Sequence, residues 1–256
     1  MAALLETFEP EFEIKIASTE QDILSSQRLR YKVFVEELGG NGELVDHKNK
    51  LERDKFDPYF DHLILTDKAN PSIGVVGVYR VLRDQKMQDI GRFYSEGEYD
   101  LTMLHKSGLR LLELGRSCIH PRYRGGTAMY HLWQGLSKYI TEYKIDILFG
   151  VASFHGTNLL EAAQPLSYLY HNYTVRDDLC PRSLVHENMN ILNSDQIDRK
   201  IAVKNIPPLI KSYLRLGGLI GDGAFIDKDF NTIDVCLVME LSTMSNKHKE
   251  IYTKVR

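Results

Sequence analysis

The sequence predicts a mixed α/β fold in which one sheet is covered by helices. Three observations carry this. A strand, a turn, a strongly periodic helix and a second strand form a β–α–β unit over residues 111–153. The run IDILFGVAS at 145–153 is continuously apolar, as in a strand covered on both faces. Helical and strand patterns also intermix along the whole chain instead of separating into halves. With 256 residues, 43% of them apolar, there is material for a sizeable core.

The opening helix is predicted from about Thr19 to Leu38. Thr19 and Asp22 make a capping-box pattern, Leu24, Tyr31, Val35 and Leu38 fall on one face, and Gly39-Gly40 stops it. Residues 39–58 are polar and turn-rich and read as a long loop. Two strands follow, HLILT at 62–66 and IGVVGVYRVL at 73–82, joined by the turn NPS. Residues 84–108 read as irregular with one short helix. LLELGRSCI at 111–119 is the next strand and HPRYRGG its turn. The following helix starts near Thr127, with Ala128, Leu132, Trp133, Leu136, Ile140 and Tyr143 as its buried stripe. A helix is predicted from Asn158 to Tyr173, a short one from Pro207-Pro208 to Gly217-Gly218, and strands at about 219–226 and 233–241. No repeat or Pro/Gly/Ser-rich linker marks a boundary, so 1–256 reads as a single domain.

Composition excludes several classes. The chain carries 32 basic and 35 acidic residues, a net charge of −3, which lacks the footprint of a nucleic-acid binder. Three cysteines in this length argue against a disulfide framework and for a reducing compartment. No run approaches 18 apolar residues, and MAALLETFEPEFEIKI lacks a basic start followed by a long apolar stretch, so a cytoplasmic protein is expected. The nine histidines are scattered without Cys-x-x-Cys or His-Glu-x-x-His, so no metal is expected. No nucleophile elbow surrounds Ser153, which speaks against a serine hydrolase.

Several residues invite chemistry on physical grounds. Arg122, Arg124, Gly125, Gly126 and Thr127 precede a helix N-terminus, where free N–H groups and positive charge suit a phosphate; the same residues also suit a plain solvated turn. Glu113 lies mid-strand in an apolar run, where burial raises a carboxyl pKa toward that of a useful base. Alternation sends Arg116 to the opposite face unless a bulge at Gly115 brings it round; a structural Glu113–Arg116 ion pair is the plainer reading. Arg80, between Val78 and Leu82, needs a partner, either a bound carboxylate or one of Asp54, Asp57 and Asp61. Those aspartates either hold a cationic ligand or form a polar loop. Glu36 by itself reads as a solvated helix face. The helix PPLIKSYLRL at 207–216 either packs as an ordinary amphipathic helix or touches a membrane.

ELGRSCIHPRYRGGTAMYHLW at 113–133 resembles the strand 4–helix 3 segment of GNAT acyltransferases, whose P-x-Y-R-G-x-G-x-G pattern is met by Pro121, Tyr123, Arg124 and Gly125. Thr127 and Met129 replace the last two glycines. Their side chains crowd the approach of a coenzyme A pyrophosphate and favour a donor with one phosphate, phosphopantetheine on an acyl carrier protein. RLRYKVFVEELG at 28–39, ERDKFD at 52–57 and GVYR at 77–80 resemble acyl-homoserine-lactone synthases. The matching positions are Arg30, Tyr31, Val33, Phe34, Glu36, Leu38 and Gly39, then Glu52, Asp54 and Asp57, then Gly77 and Arg80. Gly115 departs from that family's E-x-S/T-R, and Gly40 stands where the synthases soon place a Trp.

FDPYFDHLIL (56–65), ELGRSCIHPRYR (113–124) and the tail 207–241 are more similar still to a sister family, the ornithine–acyl carrier protein N-acyltransferases, over roughly residues 13–242. The resemblance implies a GNAT-like, mostly antiparallel central sheet flanked by helices, with a core at about 13–160 and a C-terminal extension at about 161–242. It implies transfer of a 3-hydroxyacyl chain from acyl carrier protein to the α-amine of ornithine, giving lyso-ornithine lipid, without a tightly bound cofactor. Glu113, Glu36 and Arg116 are then the expected catalytic residues. Arg80, Asp57, Asp61 and Arg30 are expected to bind the acceptor, and Arg122, Arg124, Gly125, Gly126 and Thr127 the phosphopantetheine. The expected partners are acyl carrier protein, an amino acid and, peripherally, the inner face of a membrane. The competing readings are another acceptor (glutamine or glycine), acyl-homoserine-lactone synthesis, and a non-catalytic carrier-protein or membrane-surface binding module.

Overall fold

A computed structural model describes residues 9–244. The chain opens with a strand that the sequence-based expectation lacks, β1 (Phe12–Ile16). FEIKI alternates, but it is short and only Phe12 and Ile14 are half-buried. α1 (Glu20–Arg30) starts as expected: Thr19 Oγ1 accepts the Asp22 N–H at 3.1 Å, and the Asp22 carboxylate accepts the Thr19 N–H at 3.4 Å. The helix does not run on as α; Tyr31–Glu37 forms a π-helix. The expected stripe is also corrected. Ser26, Gln27, Leu29, Arg30, Tyr31 and Val33 are buried while Leu38 is exposed, because the inward face meets a cluster of charges beneath it.

β2 (Asp61–Asp67) and β3 (Val75–Arg83) flank a turn containing Pro71–Ile73. The stretch expected to hold one short helix holds two, α2 (Asp84–Ile90) and α3 (Thr102–Lys106), with β4 (Tyr99–Asp100) between them. β5 (Leu111–Ile119), α4 (Ala128–Tyr143) and β6 (Ile147–His155) are the expected β–α–β unit. α5 (Ala163–Tyr173) begins later than Asn158, because the Asn158 side chain accepts the Leu160 N–H at 3.1 Å and holds a turn first. β7 (Arg182–Ser183) and α6 (Arg199–Asn205) follow, both absent from the expectation. α7 (Pro208–Arg215), β8 (Leu219–Ile220), β9 (Phe225–Asp227) and β10 (Thr232–Glu240) are the last helix and strands among the described residues.

The main sheet runs β1-β2-β3-β5-β6-β10-β8, with β9 also on β10. Every pairing is antiparallel except β5–β6. This is a mixed, mostly antiparallel sheet flanked by helices. One face carries the larger core, where Leu112, Leu114, Val81 and Val235 meet Leu136 of α4, Leu166 and Leu169 of α5, and Ile210 and Tyr213 of α7. α7 therefore turns Ile210 and Tyr213 into the core, as an ordinary packed amphipathic helix does. The other face carries Phe149, Cys236 and Val238 against Phe93, Tyr99, Leu101 and Leu104. Among the described residues, no helix is long and apolar enough to cross a membrane.

Candidate active site

β5 and β6 lie parallel in register only from Leu111↔Ile147 to Glu113↔Phe149. At the next step Gly150 approaches so closely that a Cβ there would stand 2.2 Å from the Leu114 carbonyl oxygen. Beyond this point the ladder stops and a cavity of about 730 Å³ opens, lined by Leu114–Ser117 of β5 and Val151–His155 of β6. Its lining mixes charged groups, Arg80, Glu113, Arg116, Asp227 and Asp234, with apolar ones, Ala162, Pro165, Pro207, Pro208 and Leu209; Asn158, Glu161 and Asn205 stand beside the latter. A small apolar recess between Tyr79, Leu148, Tyr213 and Leu237 adjoins the same strand separation.

Against the charged groups of the lining stands a closed ring of six alternating charges. Arg30 pairs with Glu52 and, at 2.6 Å, with Asp57. Asp57 pairs with Arg80 at 2.6 Å, and Arg80 with Asp54 at 2.7 Å. Arg116 closes the circuit with Asp54 at 3.5 Å and Glu52 at 3.1 Å. Gln27 adds a 2.9 Å bond to Asp57. Burial alone would raise the carboxyl pKa values, but the arginines more than offset it and hold Glu52, Asp54 and Asp57 below the usual range. His62 packs beside the ring with Nδ1 at 3.0 Å from Ser26 Oγ; burial and the Arg30 charge push its pKa down to about 4. The ring explains the polar inner face of α1. It also occupies residues expected to bind the acceptor. Arg30 is wholly buried, so its expected contact with an acceptor is corrected to a structural one, and Asp57 is spent on two arginines. Arg80 is paired with aspartates yet lines the cavity, and its Nε has no hydrogen-bond partner.

Arg116 reaches the ring through a bulge. β3 and β5 pair as Arg80↔Gly115 and then as Val78↔Cys118, so Tyr79 faces two residues, and Arg116 takes φ 49°. The extra residue swings Arg116 onto the face of Glu113. Its guanidinium lies 4.9 Å from the Tyr94 ring and 4.7 Å from that of Phe230. Glu113 does not pair with it. Its two oxygens accept the backbone N–H groups of Ser95 at 2.6 Å and Tyr94 at 2.8 Å, and burial, the largest influence, raises its pKa. Gly115 lines the cavity, and a Cβ there would meet nothing within 4 Å, so the space beside it is open.

Two expected residues stand apart from the cavity. Glu36 is exposed and pairs with Lys50 at 2.8 Å, because the π-helix turns Phe34 and Leu38 to the cavity instead. Asp61 pairs with Lys86 at 2.6 Å and accepts the Tyr139 hydroxyl at 2.5 Å on the α4 side of the sheet. In the turn, Gly125 takes φ 77° and Thr127 precedes α4 without capping it by a side chain. Arg124 binds Glu37 at 2.7 Å, tying the turn to the π-helix beside the cavity mouth. Arg122 and Gly126 sit in the same exposed turn.

Sequence reasoning missed Glu98, Asp227 and Asp234, whose carboxylate oxygens lie within 4.8 Å of one another. Asp227 and Asp234 line the cavity. Burial first, then the neighbouring carboxylates, raises the pKa of Glu98, and burial dominates for Asp234 as well. A signal was present for one of them. Asp234 sits between Ile233 and Val235 in an apolar strand, the same situation that singles out Glu113 and Arg80. Cys118 is buried, its thiol pushed up to about 12 by burial, as befits a core residue.

A sheet split at one parallel pair, with a charged cavity at the split, defines the class: an acyltransferase of GNAT fold. The chain matches the acetyltransferase (GNAT) domain family over residues 29–134. It is 52% identical over 246 residues to the L-ornithine N(alpha)-acyltransferase of Rhodobacter capsulatus, covering 95% of each chain. It is 40% identical to that of Brucella abortus, over 94% of this chain and 88% of the relative. The chain belongs to the L-ornithine N(alpha)-acyltransferase family. Among solved structures, the AHL synthase LasI has a TM-score of 0.52 at 16% identity, covering 97% of this chain and 99% of its own. FeeM, an N-acyl amino acid synthase from uncultured soil microbes, has 0.51 at 12%, covering 92% and 93%. Both share the fold.

Proposed function

We propose that this acyltransferase moves a 3-hydroxyacyl chain from the phosphopantetheine of an acyl carrier protein to the α-amine of ornithine, giving lyso-ornithine lipid. The observation that carries the reading is the cavity at the strand separation, whose lining combines the charged Arg80, Glu113 and Arg116 with the apolar Ala162, Pro165 and Leu209. Charged groups suit an amino acid, and apolar ones suit a fatty acyl chain. The relatives' name supplies the acceptor.

Arg116 and Arg80, both in the cavity lining, supply positive charge for the acceptor's carboxylate. An α-ammonium with a pKa of about 8 must lose a proton before it attacks. Glu113, buried at the cavity wall with a raised pKa, is the candidate base or relay. Where β5 and β6 part, backbone N–H groups lose the facing strand's carbonyls as ladder partners and can donate to the developing oxyanion. The amine nitrogen bonds to the acyl carbon and the C–S bond breaks. Of the ammonium's two lost protons, one leaves through the carboxylate to water and one ends on the thiol. The turn of Arg122, Arg124, Gly125, Gly126 and Thr127, before a helix end that no side chain caps, suits the phosphate of the donor. The amphiphilic product then passes to a membrane surface.

Purified protein given 3-hydroxyacyl carrier protein and ornithine should release free thiol and form acyl-ornithine, detected by mass. Glu113→Gln should lower kcat by about a hundredfold or more while the far-ultraviolet circular dichroism stays that of the parent. Thiol release only with glutamine, glycine or S-adenosylmethionine would reassign the acceptor. No release with any acceptor would favour a binding module.

A further inference from the structure

The cluster of Glu98, Asp227 and Asp234 is unlike the ring of six charges. The ring is balanced, three arginines against three carboxylates. Among the described residues, none of the cluster's three carboxylates takes part in an ion pair within 4.0 Å, and Arg116, the cation nearest in the sheet, is paired with Glu52 and Asp54. Glu98 and Asp234 are 6% and 3% exposed. Glu98 Oε2 and Asp234 Oδ1 are buried without a hydrogen-bond partner. Asp227 is different: its Oδ1 is held by the Asp229 and Phe230 N–H groups at 2.8 and 3.0 Å, so its orientation is fixed. Asp234 and Asp227 both face the cavity.

Buried acceptors without donors are costly, and in the free protein Glu98 avoids added charge by keeping its proton; a ligand that brings positive charge and N–H donors takes that proton's place and removes the cost. The complement to these three carboxylates is a primary ammonium, with one positive charge and three N–H donors. We propose that Glu98, Asp227 and Asp234 form a subsite for the side-chain ammonium of a basic amino-acid acceptor, and that this subsite sets acceptor specificity. This rests on the acyl-transfer reading above and adds to it the group that distinguishes the acceptor. The acceptor then lies between two charged positions, its carboxylate toward Arg116 and Arg80 and its side-chain ammonium toward the acidic cluster. That arrangement presents the α-amine near Glu113.

The test uses the whole protein with acyl carrier protein as donor and a panel of acceptors: ornithine, lysine, 2,4-diaminobutyrate, glutamine and norvaline, which keeps ornithine's carbon chain but lacks the ammonium. A site built to hydrogen-bond a polar group rejects the analogue lacking it by on the order of 10⁴. The parent protein should therefore prefer ornithine over norvaline by at least about a hundredfold in kcat/KM. Asp227→Asn, on a half-buried residue, and Glu98→Gln should each cut the ornithine-to-norvaline ratio at least about tenfold, mainly through KM for ornithine. Equal use of ornithine and norvaline by the parent would overturn the subsite, as would variants that lower both acceptors in proportion. A stoichiometric divalent ion in the purified protein, with activity lost on chelation, would also overturn it in favour of a metal site. Acylation of lysine or 2,4-diaminobutyrate with none of ornithine would sustain the cation subsite and refute the ornithine assignment.

Discussion

Arg30 illustrates how much one side chain can be required to do without meeting a substrate. It is wholly buried, and two carboxylates, Glu52 and Asp57, depend on it for neutralisation. Removing one partner of a buried ion pair strands the other charge, which costs roughly 3–5 kcal/mol. Arg30→Met should therefore lower the urea midpoint by that equivalent. Arg124→Ala, which breaks a half-exposed pair with Glu37, should cost no more than about 1 kcal/mol. Equal midpoints for the parent and Arg30→Met would mean that the ring carboxylates take up protons or water instead. The residues of this ring were visible in the sequence as separate motif members, but not their closure. Arg30, Glu52, Asp57, Arg80 and Arg116 are spread over more than eighty positions, and only the sheet brings them into one circuit. Arg80's need of a partner was legible from its apolar neighbours; which partner it takes was not.

At the scale of elements, the site depends on where two parallel strands stop pairing. Gly150 marks that place, since its Cα packs on the Leu114 carbonyl with no room for a methyl group. Gly150→Ala must push β6 away from β5 one step before the cavity begins. The expected result is a loss of about 1–3 kcal/mol from overpacking together with a fall in kcat, because Leu114–Ser117 and Val151 no longer face each other at the same separation. Full activity with unchanged thermal stability would show that the strands can part further at no cost. The β–α–β unit around this point was the most legible part of the sequence, because α4's stripe and the apolar β6 both repeat strongly. The failures have local causes. β1 is a short edge strand with few buried residues. The π-helix changes the period within a segment that reads as one continuous helix, and Phe34 and Leu38 are found at the cavity; Glu36, expected there from the resemblance alone, keeps the solvated position that its helix face suggests. The Arg116 bulge could be anticipated only through the GNAT resemblance, because the residue that takes the left-handed conformation is Arg116 itself, for which no local sequence signal speaks.

For the molecule as a whole, the buried titratable groups fix how stability responds to pH, and they act in opposite directions over overlapping windows. His62 is held at about 4, below the ordinary histidine value of 6.5. Between those values the unfolded chain binds the extra proton, so stability falls as pH drops through this window. The ring carboxylates add to that loss at lower pH, since their depressed values make their contribution present above the unfolded pKa and lost as they are protonated. Glu98 works the other way. Its pKa is pushed up from 4.5 to about 9, so the folded protein holds a proton that the unfolded chain has released, and its contribution is lost as pH rises through that range. Thermal midpoints of the parent should therefore fall steeply below about pH 4.5, change little up to about 6.5 where His62 and Glu98 oppose each other, and decline above it. Glu98→Gln keeps a neutral side chain of the same shape at every pH, so its midpoint should gain on the parent steadily from pH 5 to pH 9 and show no such gain below pH 4. Parallel curves across the whole range would mean that Glu98 ionises at its ordinary value, and that its burial beside Asp227 and Asp234 is relieved by something other than a bound proton.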